Sequence, residues 1–176
     1  MASTTWALDP THSELQFKVK HLMITTVTGS LSTFSASLTT ESDDFEGAQV
    51  SFEADTNSVK TGNTDRDNHL IGADFFDSDT HPKISFTSTS FHKDGDDYVL
   101  AGDLTVKGIT KPVKLNVEFG GIATDPWGNT KAGFTLAGKI NRSDYGLTWN
   151  AALETGGVMV SEEVKLAGEL QFVKQA

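Results

Sequence analysis

The sequence predicts an all-β protein, an antiparallel barrel or sandwich of eight strands with one short helix around residues 63–72. Three observations carry that expectation. Eight segments alternate apolar and polar residues with period 2, as strands with one buried face do. Turn-forming clusters separate the segments, with Asp94-Gly95 the plainest hairpin signal. Only the stretch from Thr61 to Phe76 has helical character. At 176 residues the chain suits a single domain, 1–176, large enough for a substantial core or for a barrel with contents.

From Glu14 the chain alternates strictly. Leu15, Phe17, Val19 and His21 share one parity, and Glu14, Gln16, Lys18 and Lys20 the other. Residues 22–26 read as a break, one helical turn. Residues 29–39 resume with Phe34, Ala36 and Leu38 on one face, Gly29 marking a start or bulge. Ser42-Asp43-Asp44 is a turn, and 47–55 alternate Ala48, Val50, Phe52 and Ala54 against polar neighbours. Asn63 or Thr64 is the helix N-cap, Asp65 and Asp67 complement the dipole of the first turn, and Gly72 ends the helix. Phe76 closes that segment. Ile84, Phe86, Ser88 and Ser90 form the fourth strand, and Tyr98, Leu100, Gly102, Leu104 and Val106 the fifth. Residues 107–112 are a turn before Val113, Leu115, Val117 and Phe119. Gly120-Gly121 and Asp125 to Asn129 are a longer connection to Phe134, Leu136, Gly138 and Ile140. Arg142 opens an irregular stretch to Gly157. The last strand carries Val164, Leu166, Gly168, Leu170 and Phe172.

Eight strands closing on themselves leave an interior just wide enough for side chains or one slender ligand. The inward parity mixes Ala36, Ala48, Ala54, Ser88, Gly102, Gly138 and Gly168 with Phe, Leu and Val. A solid core favours bulk at such positions, so an open lumen is the favoured reading, although glycines also serve bends and tight packing. The wall candidates are Leu15, Phe17, Val19, Phe34, Phe52, Phe76, Phe86, Leu104, Leu115, Phe134 and Leu170.

The net charge of −10 and pI of about 4.8 argue against a nucleic-acid or anionic-membrane surface. Any anionic ligand must be met by locally placed cations, and the two arginines are Arg66 and Arg142. The lack of cysteine excludes disulfides and thiol chemistry. The N-terminus has neither a basic n-region nor an apolar run, and no segment approaches the ~18 apolar residues of a membrane-spanning helix. A soluble, cytoplasmic protein is expected; a mature chain cut from its leader would read the same and would be periplasmic or secreted.

No two of the five histidines, His12, His21, His69, His81 and His92, have metal-ligand spacing, so no metal is expected. The acidic turns lack EF-hand spacing, and no nucleophile elbow or phosphate loop occurs. What remains is Asp65-Arg66-Asp67-x-His69, where Arg66 and His69 stand three apart on one helix face. It is either an ion-pair cluster fixing the helix or a polar head-group site. His21 likewise is either a core histidine satisfied by a carbonyl or a polar contact in the lumen.

Five motifs in order carry a family resemblance: Trp6-x-Leu-Asp-x-x-His-Ser-x-Leu-x-Phe-x-Val-x-His21 followed by Gly29, Asp65-Arg-Asp-x-His-Leu70 with Asp74-Phe-Phe-Asp77, Pro82-x-Ile-x-Phe86, Gly102-x-Leu-Thr-Val-x-Gly-Ile-Thr-Lys111, and Arg142-x-Asp-Tyr-Gly146. From residue 6 to about 173 the chain resembles the YceI-like, lipocalin-like proteins. The resemblance implies an eight-stranded antiparallel lipocalin-like barrel around an apolar cavity. It also implies carriage of a long amphiphile (a polyisoprenoid, an isoprenoid quinone or a fatty-acid derivative) by a non-enzymatic protein, commonly a homodimer, with the bound lipid and no cofactor. By position it makes His12, His21, Arg66, Asp67, His69, Arg142 and Tyr145 the head-group candidates. The mean field of an acidic protein favours a weakly charged head such as a quinone over a pyrophosphate. The rival expectations are an enzyme acting on an isoprenoid lipid and a stress-related structural protein with a filled barrel.

Overall fold

A computed structural model describes residues 3–22, 24–41, 44–147 and 160–175. The first stave of the barrel is broken into β1 (Thr4–Leu8) and β2 (Glu14–His21) by a 3-10 turn at Pro10–His12. The second comprises β3 (Thr25–Leu31) and β4 (Phe34–Thr40), and the third β5 (Gln49–Asp55) and the short β6 (Val59–Lys60). After α1 (Thr64–Ile71) come five unbroken staves: β7 (Lys83–Asp94), β8 (Asp97–Val106), β9 (Ile109–Thr124), β10 (Thr130–Asn141) and β11 (Glu163–Lys174).

Each stave pairs antiparallel with its neighbour in sequence. β11 closes the ring on both halves of the first, Trp6 opposite Lys174 and Lys18 opposite Lys165. Closure leaves no long free edge to recruit other chains. The up-and-down order puts the β2–β3 turn, α1 and the β8–β9 turn at one end. The chain start and the β7–β8 and β9–β10 hairpins lie at the other.

Several sequence expectations are corrected. The break at 22–26 is shorter than a helical turn would need: Leu22 adopts a left-handed φ of 54° and β3 already begins at Thr25. Gly120 and Gly121 lie inside β9, where the register shifts against β10; Gly121, at φ 110°, supplies a backbone conformation other residues disfavour. The predicted 107–112 turn shrinks to Lys107 and Gly108. A bulge between Ser88 and Ser90 reverses the parity of β7, so Phe91 points inward and is 2% exposed. Residues 42 and 43 of the acidic turn, and 148–157 of the irregular stretch, lie outside the described residues.

The far end is plugged by aromatic rings. Phe45, from the connection between β4 and β5, sits 5.4 Å from Trp6, 5.3 Å from Phe119 and 5.0 Å from Phe134. Phe172 adds an edge-on contact to Phe134, and Phe91 stacks on Tyr98. Offset and edge-to-face rings fill volume densely, and each such pair adds about 0.5–1.5 kcal/mol beyond area burial.

Asp9 ties this end together. Its carboxylate caps the 3-10 turn, accepting hydrogen bonds from the Thr11 amide and hydroxyl (3.1 and 2.6 Å), pairs with His12 at 2.9 Å and meets Lys131 at 3.1 Å. The Thr11 hydroxyl first, then His12, holds its pKa well below the usual carboxylate range, against the opposing effect of burial. A carboxyl with a depressed folded pKa stabilises fully above its unfolded value of about 3.9, and that contribution is lost as the pH falls below it. Asp9→Asn is therefore expected to cost about 1–2 kcal/mol at pH 7 and to flatten the acid limb of the unfolding curve. Urea titrations at pH 7 and pH 3 check both.

Candidate functional site

Glycines on the inward parity decide where the barrel's bulk goes. A Cβ on Gly29 would lie 2.3 Å from Cζ of Phe17, its cross-strand partner. A Cβ on Gly102 would lie 2.5 Å from Cζ of Phe86, and one on Gly138 2.3 Å from Cδ2 of Leu115. Each large side chain thus lies flat against the wall, over the bare backbone of its neighbour. Bulk that would otherwise project into the lumen is absorbed by the wall, and an apolar cavity of about 320 Å³ remains at the barrel's centre. That is within the size range of small-molecule sites, which are concave, mostly apolar and carry few polar groups.

Nine wall candidates border it: Leu15, Phe17, Val19, Phe52, Phe76, Phe86, Leu104, Leu115 and Leu170. Phe34 and Phe134 do not. Phe34 packs half-buried against Phe52, ring centres 6.0 Å apart, and Phe134 belongs to the aromatic plug.

At the other end α1 stands across the cavity mouth. Asn63 caps it, its side chain accepting the Arg66 amide at 3.0 Å, and Gly72 closes it by donating to the carbonyls of Asn68 and His69. Thr61 clamps the helix start. Its amide and hydroxyl donate to Asp67 Oδ1 (2.8 and 2.5 Å), while its hydroxyl and carbonyl oxygens accept from Arg66 Nε and Nη2, each at 2.8 Å. Asp67 is consumed by this clamp and does not border the cavity; Arg66 does. No carboxylate lies within ion-pair distance of Arg66 among the described residues. His69 also borders the cavity, held at 3.0 Å by Asp74 and edge-on to Phe75 at 5.1 Å.

His21 ends β2 at the mouth, its backbone bridged to Val160, and its side chain borders the cavity. Arg142 borders it as well, but its guanidinium is already employed. Nε donates to the Ser161 carbonyl at 2.8 Å, Nη1 to Leu147 at 2.6 Å and Nη2 to Val160 at 3.3 Å. Burial pushes its pKa down, opposed by Glu162 at 3.8 Å. An arginine 3% exposed that satisfies three carbonyls braces the chain on both sides of the β10–β11 connection.

Two further head-group candidates lie elsewhere. His12 is exposed beside Asp9, towards the plugged end of the barrel, because Pro10 breaks the first stave there. Tyr145 is 1% exposed, packed in the core off the cavity wall, and burial raises its pKa, with Asp144 adding to the shift.

Sequence parity missed Lys20 and Thr61, which also border the cavity. Lys20 has the outward parity of β2, but it sits at the strand end against Ser161, whose hydroxyl accepts its amide at 3.0 Å. Among the described lining residues there is no aspartate or glutamate; the charged ones are Lys20, Arg66 and Arg142. In a chain of net charge −10, that is a local inversion of sign. No cluster of three His, Asp or Glu side chains suited to a metal ion occurs among the described residues.

The model of the YceI-like domain matches residues 6–172, taking in every stave and α1. The chain belongs to the YceI-like family. A UPF0312 protein of Staphylococcus aureus (strain MSSA476) is 38% identical over 170 residues, 96% of this chain and 97% of that protein. The crystal structure of the Campylobacter jejuni YCEI protein superimposes with a TM-score of 0.74 at 33% identity, covering 89% of this chain and 90% of the other. A polyisoprenoid binding domain from Saccharophagus degradans, implicated in plant cell wall breakdown, matches with a TM-score of 0.67 over 97% of this chain and 98% of its own. At 19% identity that last likeness shows the shared fold. The closed eight-stave barrel with one short helix is thus the YceI-like, lipocalin-like architecture, and the cavity described above lies wholly within the matched residues. No helix is long and apolar enough to cross a membrane among the described residues.

Proposed function

We propose that this YceI-like protein binds and sequesters one long-chain amphiphile without chemically altering it, the tail in the barrel and the head at the α1 end. The observation that carries this is the cavity itself: an apolar interior of about 320 Å³ whose polar and charged lining, Lys20, His21, Thr61, Arg66 and His69 among it, includes no acid among the described residues. Each methylene withdrawn from water contributes about 0.8 kcal/mol, so part of a polyprenyl or acyl tail is enough for tight binding, reduced by the cost of ordering it. The polyisoprenoid-binding neighbour with the same fold supports the tail chemistry.

The head is a hydrogen-bond acceptor of zero or one negative charge, such as a quinone carbonyl, an amide or a carboxylate. Arg142 is committed to three carbonyls, which leaves Arg66 and Lys20 as the cations facing a ligand. A pyrophosphate needs more neutralisation than those two supply in so acidic a chain.

Calorimetric titration with a C20 isoprenoid alcohol, the corresponding carboxylate and the pyrophosphate tests both parts. The alcohol and carboxylate are expected to bind. Arg66→Gln should weaken the carboxylate about tenfold, as loss of a charge-assisted hydrogen bond does, and leave the alcohol unchanged. Tightest binding of the pyrophosphate would overturn the head assignment. No binding of any of the three would overturn the carrier itself.

A further inference from the structure

The charge inversion at the mouth continues on the barrel's outer face. In the paired ladder Lys139 of β10 stands directly opposite Lys165 of β11, and Lys165 directly opposite Lys18 of β2. Cross-strand neighbours are about 5 Å apart, and like charges so placed destabilise a sheet. Lys20 follows one step nearer the mouth on β2, and Lys60 lies on β6, opposite Ser30 of β3. Among the described residues one acid lies within ion-pair distance of this row, Glu163, 3.4 Å from Lys139. Lys18, Lys20, Lys60 and Lys165 make no ion pair among the described residues.

The same β2–β3 hairpin ends in an apolar tip. Ile24 is 76% exposed, and Leu22 holds a left-handed φ of 54° that a leucine disfavours. This tip stands on the cavity rim, next to His21. Of the acids at the same end, Asp65, Asp74, Asp77 and Asp79 belong to the segment that leaves β6, separated from the row by β3, while Asp144 and Glu162 flank the mouth ends of β10 and β11, Glu162 lying 3.8 Å from Arg142. The Asp94, Asp96 and Asp97 cluster is at the plugged end. With a screening length of about 8 Å at physiological salt, a partner touching the hairpin meets this local set of charges, in which the lysines lie side by side, and not the net charge.

We propose that the β2–β3 hairpin and the lysine row of β10, β11 and β2 dock the protein on an anionic bilayer surface, with Ile24 entering the headgroup layer and the cavity mouth facing the membrane. Basic side chains beside a small apolar wedge are what a bilayer interface rewards: lysines meet acidic headgroups while the apolar residue leaves water. A soluble acidic partner would answer the lysines but leave the exposed isoleucine unexplained. Docking goes beyond lipid carriage and does not depend on it, since neither Lys18, Lys165 nor Ile24 borders the cavity.

The test is flotation of the full-length protein with vesicles of phosphatidylcholine alone and of phosphatidylcholine with phosphatidylserine at 7:3. Binding to the second, declining steeply between 50 and 300 mM salt, is expected. K18Q/K165Q should reduce it about tenfold or more, and I24S should reduce it severalfold. K18Q/K165Q should unfold at or above the wild-type temperature and I24S near it, and both should retain wild-type uptake of a soluble C20 ligand. Absence of vesicle binding, equal binding to neutral vesicles, or retention on soluble polyglutamate without vesicle binding would each overturn the proposal. The uptake measurement keeps its failure distinct from failure of the carrier reading.

Discussion

Replacing Gly29 with alanine is expected to leave a folded barrel that no longer retains a long-chain lipid. The new methyl would meet the Phe17 ring at 2.3 Å, and the ring is the free end of a side chain. It can swing off the wall, and the direction left to it is the lumen. Overpacking of this kind costs about 1–3 kcal/mol of stability. A phenyl ring in the cavity displaces roughly four methylenes of tail at about 0.8 kcal/mol each, or about a hundredfold in Kd. Gly138→Ala, which would move the Leu115 branch lying 2.3 Å away, should act in the same direction. Gly102→Ala is the contrast: the carbonyl oxygen of Thr87 also lies 2.5 Å from the new Cβ, and backbone cannot swing aside. That variant should lose melting temperature before it loses ligand. Thermal unfolding and ligand titration on the three proteins separate the cases. A solid-cored barrel would show stability losses in all three and no lipid in any.

Arg142→Ala is expected to be the most destabilising single change at the mouth. It strips hydrogen bonds from the carbonyls of Ser161, Leu147 and Val160 in a site where the side chain is 3% exposed. Breaking a buried charged network by removing one member costs about 3–5 kcal/mol. For a domain of this size that is roughly 10 °C or more in Tm. Arg142→Lys should not rescue it, because the three carbonyls are met by three separate nitrogens of the planar guanidinium, positions that a single ammonium nitrogen cannot occupy together. At temperatures where the variant remains folded, ligand affinity should stay close to wild type, since the guanidinium is a brace. Calorimetry of unfolding and of ligand binding on the same sample checks both halves. Arg66→Gln should behave differently, weakening an anionic head while costing far less Tm, since its two bonds to Thr61 are exposed and Asp67 still holds that residue.

What could be read in the sequence follows from which properties are local. Strand parity is a property of one strand, so alternation puts Leu15, Phe17 and Val19 on one face, and the apolarity of that face turns it to the cavity. The Asn63 cap and the Asp94-Gly95 hairpin are equally local. Phe91 was not legible, because the bulge at 88–90 shifts parity by one residue without a Gly or Pro to announce it. Phe45 lies in a connection where no periodicity applies, yet it anchors the aromatic plug. Arg66 and Arg142 looked alike as lone cations outside the strands. Only the long-range carbonyls of Ser161 and Val160, which lie 19 and 18 residues further along the chain, separate a brace from a ligand contact. Net charge is the least local of these properties. Averaged over 176 residues it says nothing of where the lysines stand, and those side by side on β10, β11 and β2 become neighbours only through register.

The central claim is that the lumen of this YceI-like barrel holds one lipid. Native mass spectrometry of the purified protein, with organic extraction of whatever it carries, tests it most directly. The expected result is one long-chain amphiphile per chain, with a head of zero or one negative charge, released on unfolding and missing from Gly29→Ala. A wild-type protein that flies at its bare sequence mass, and still does so after incubation with isoprenoid alcohols, carboxylates and quinones, would contradict it.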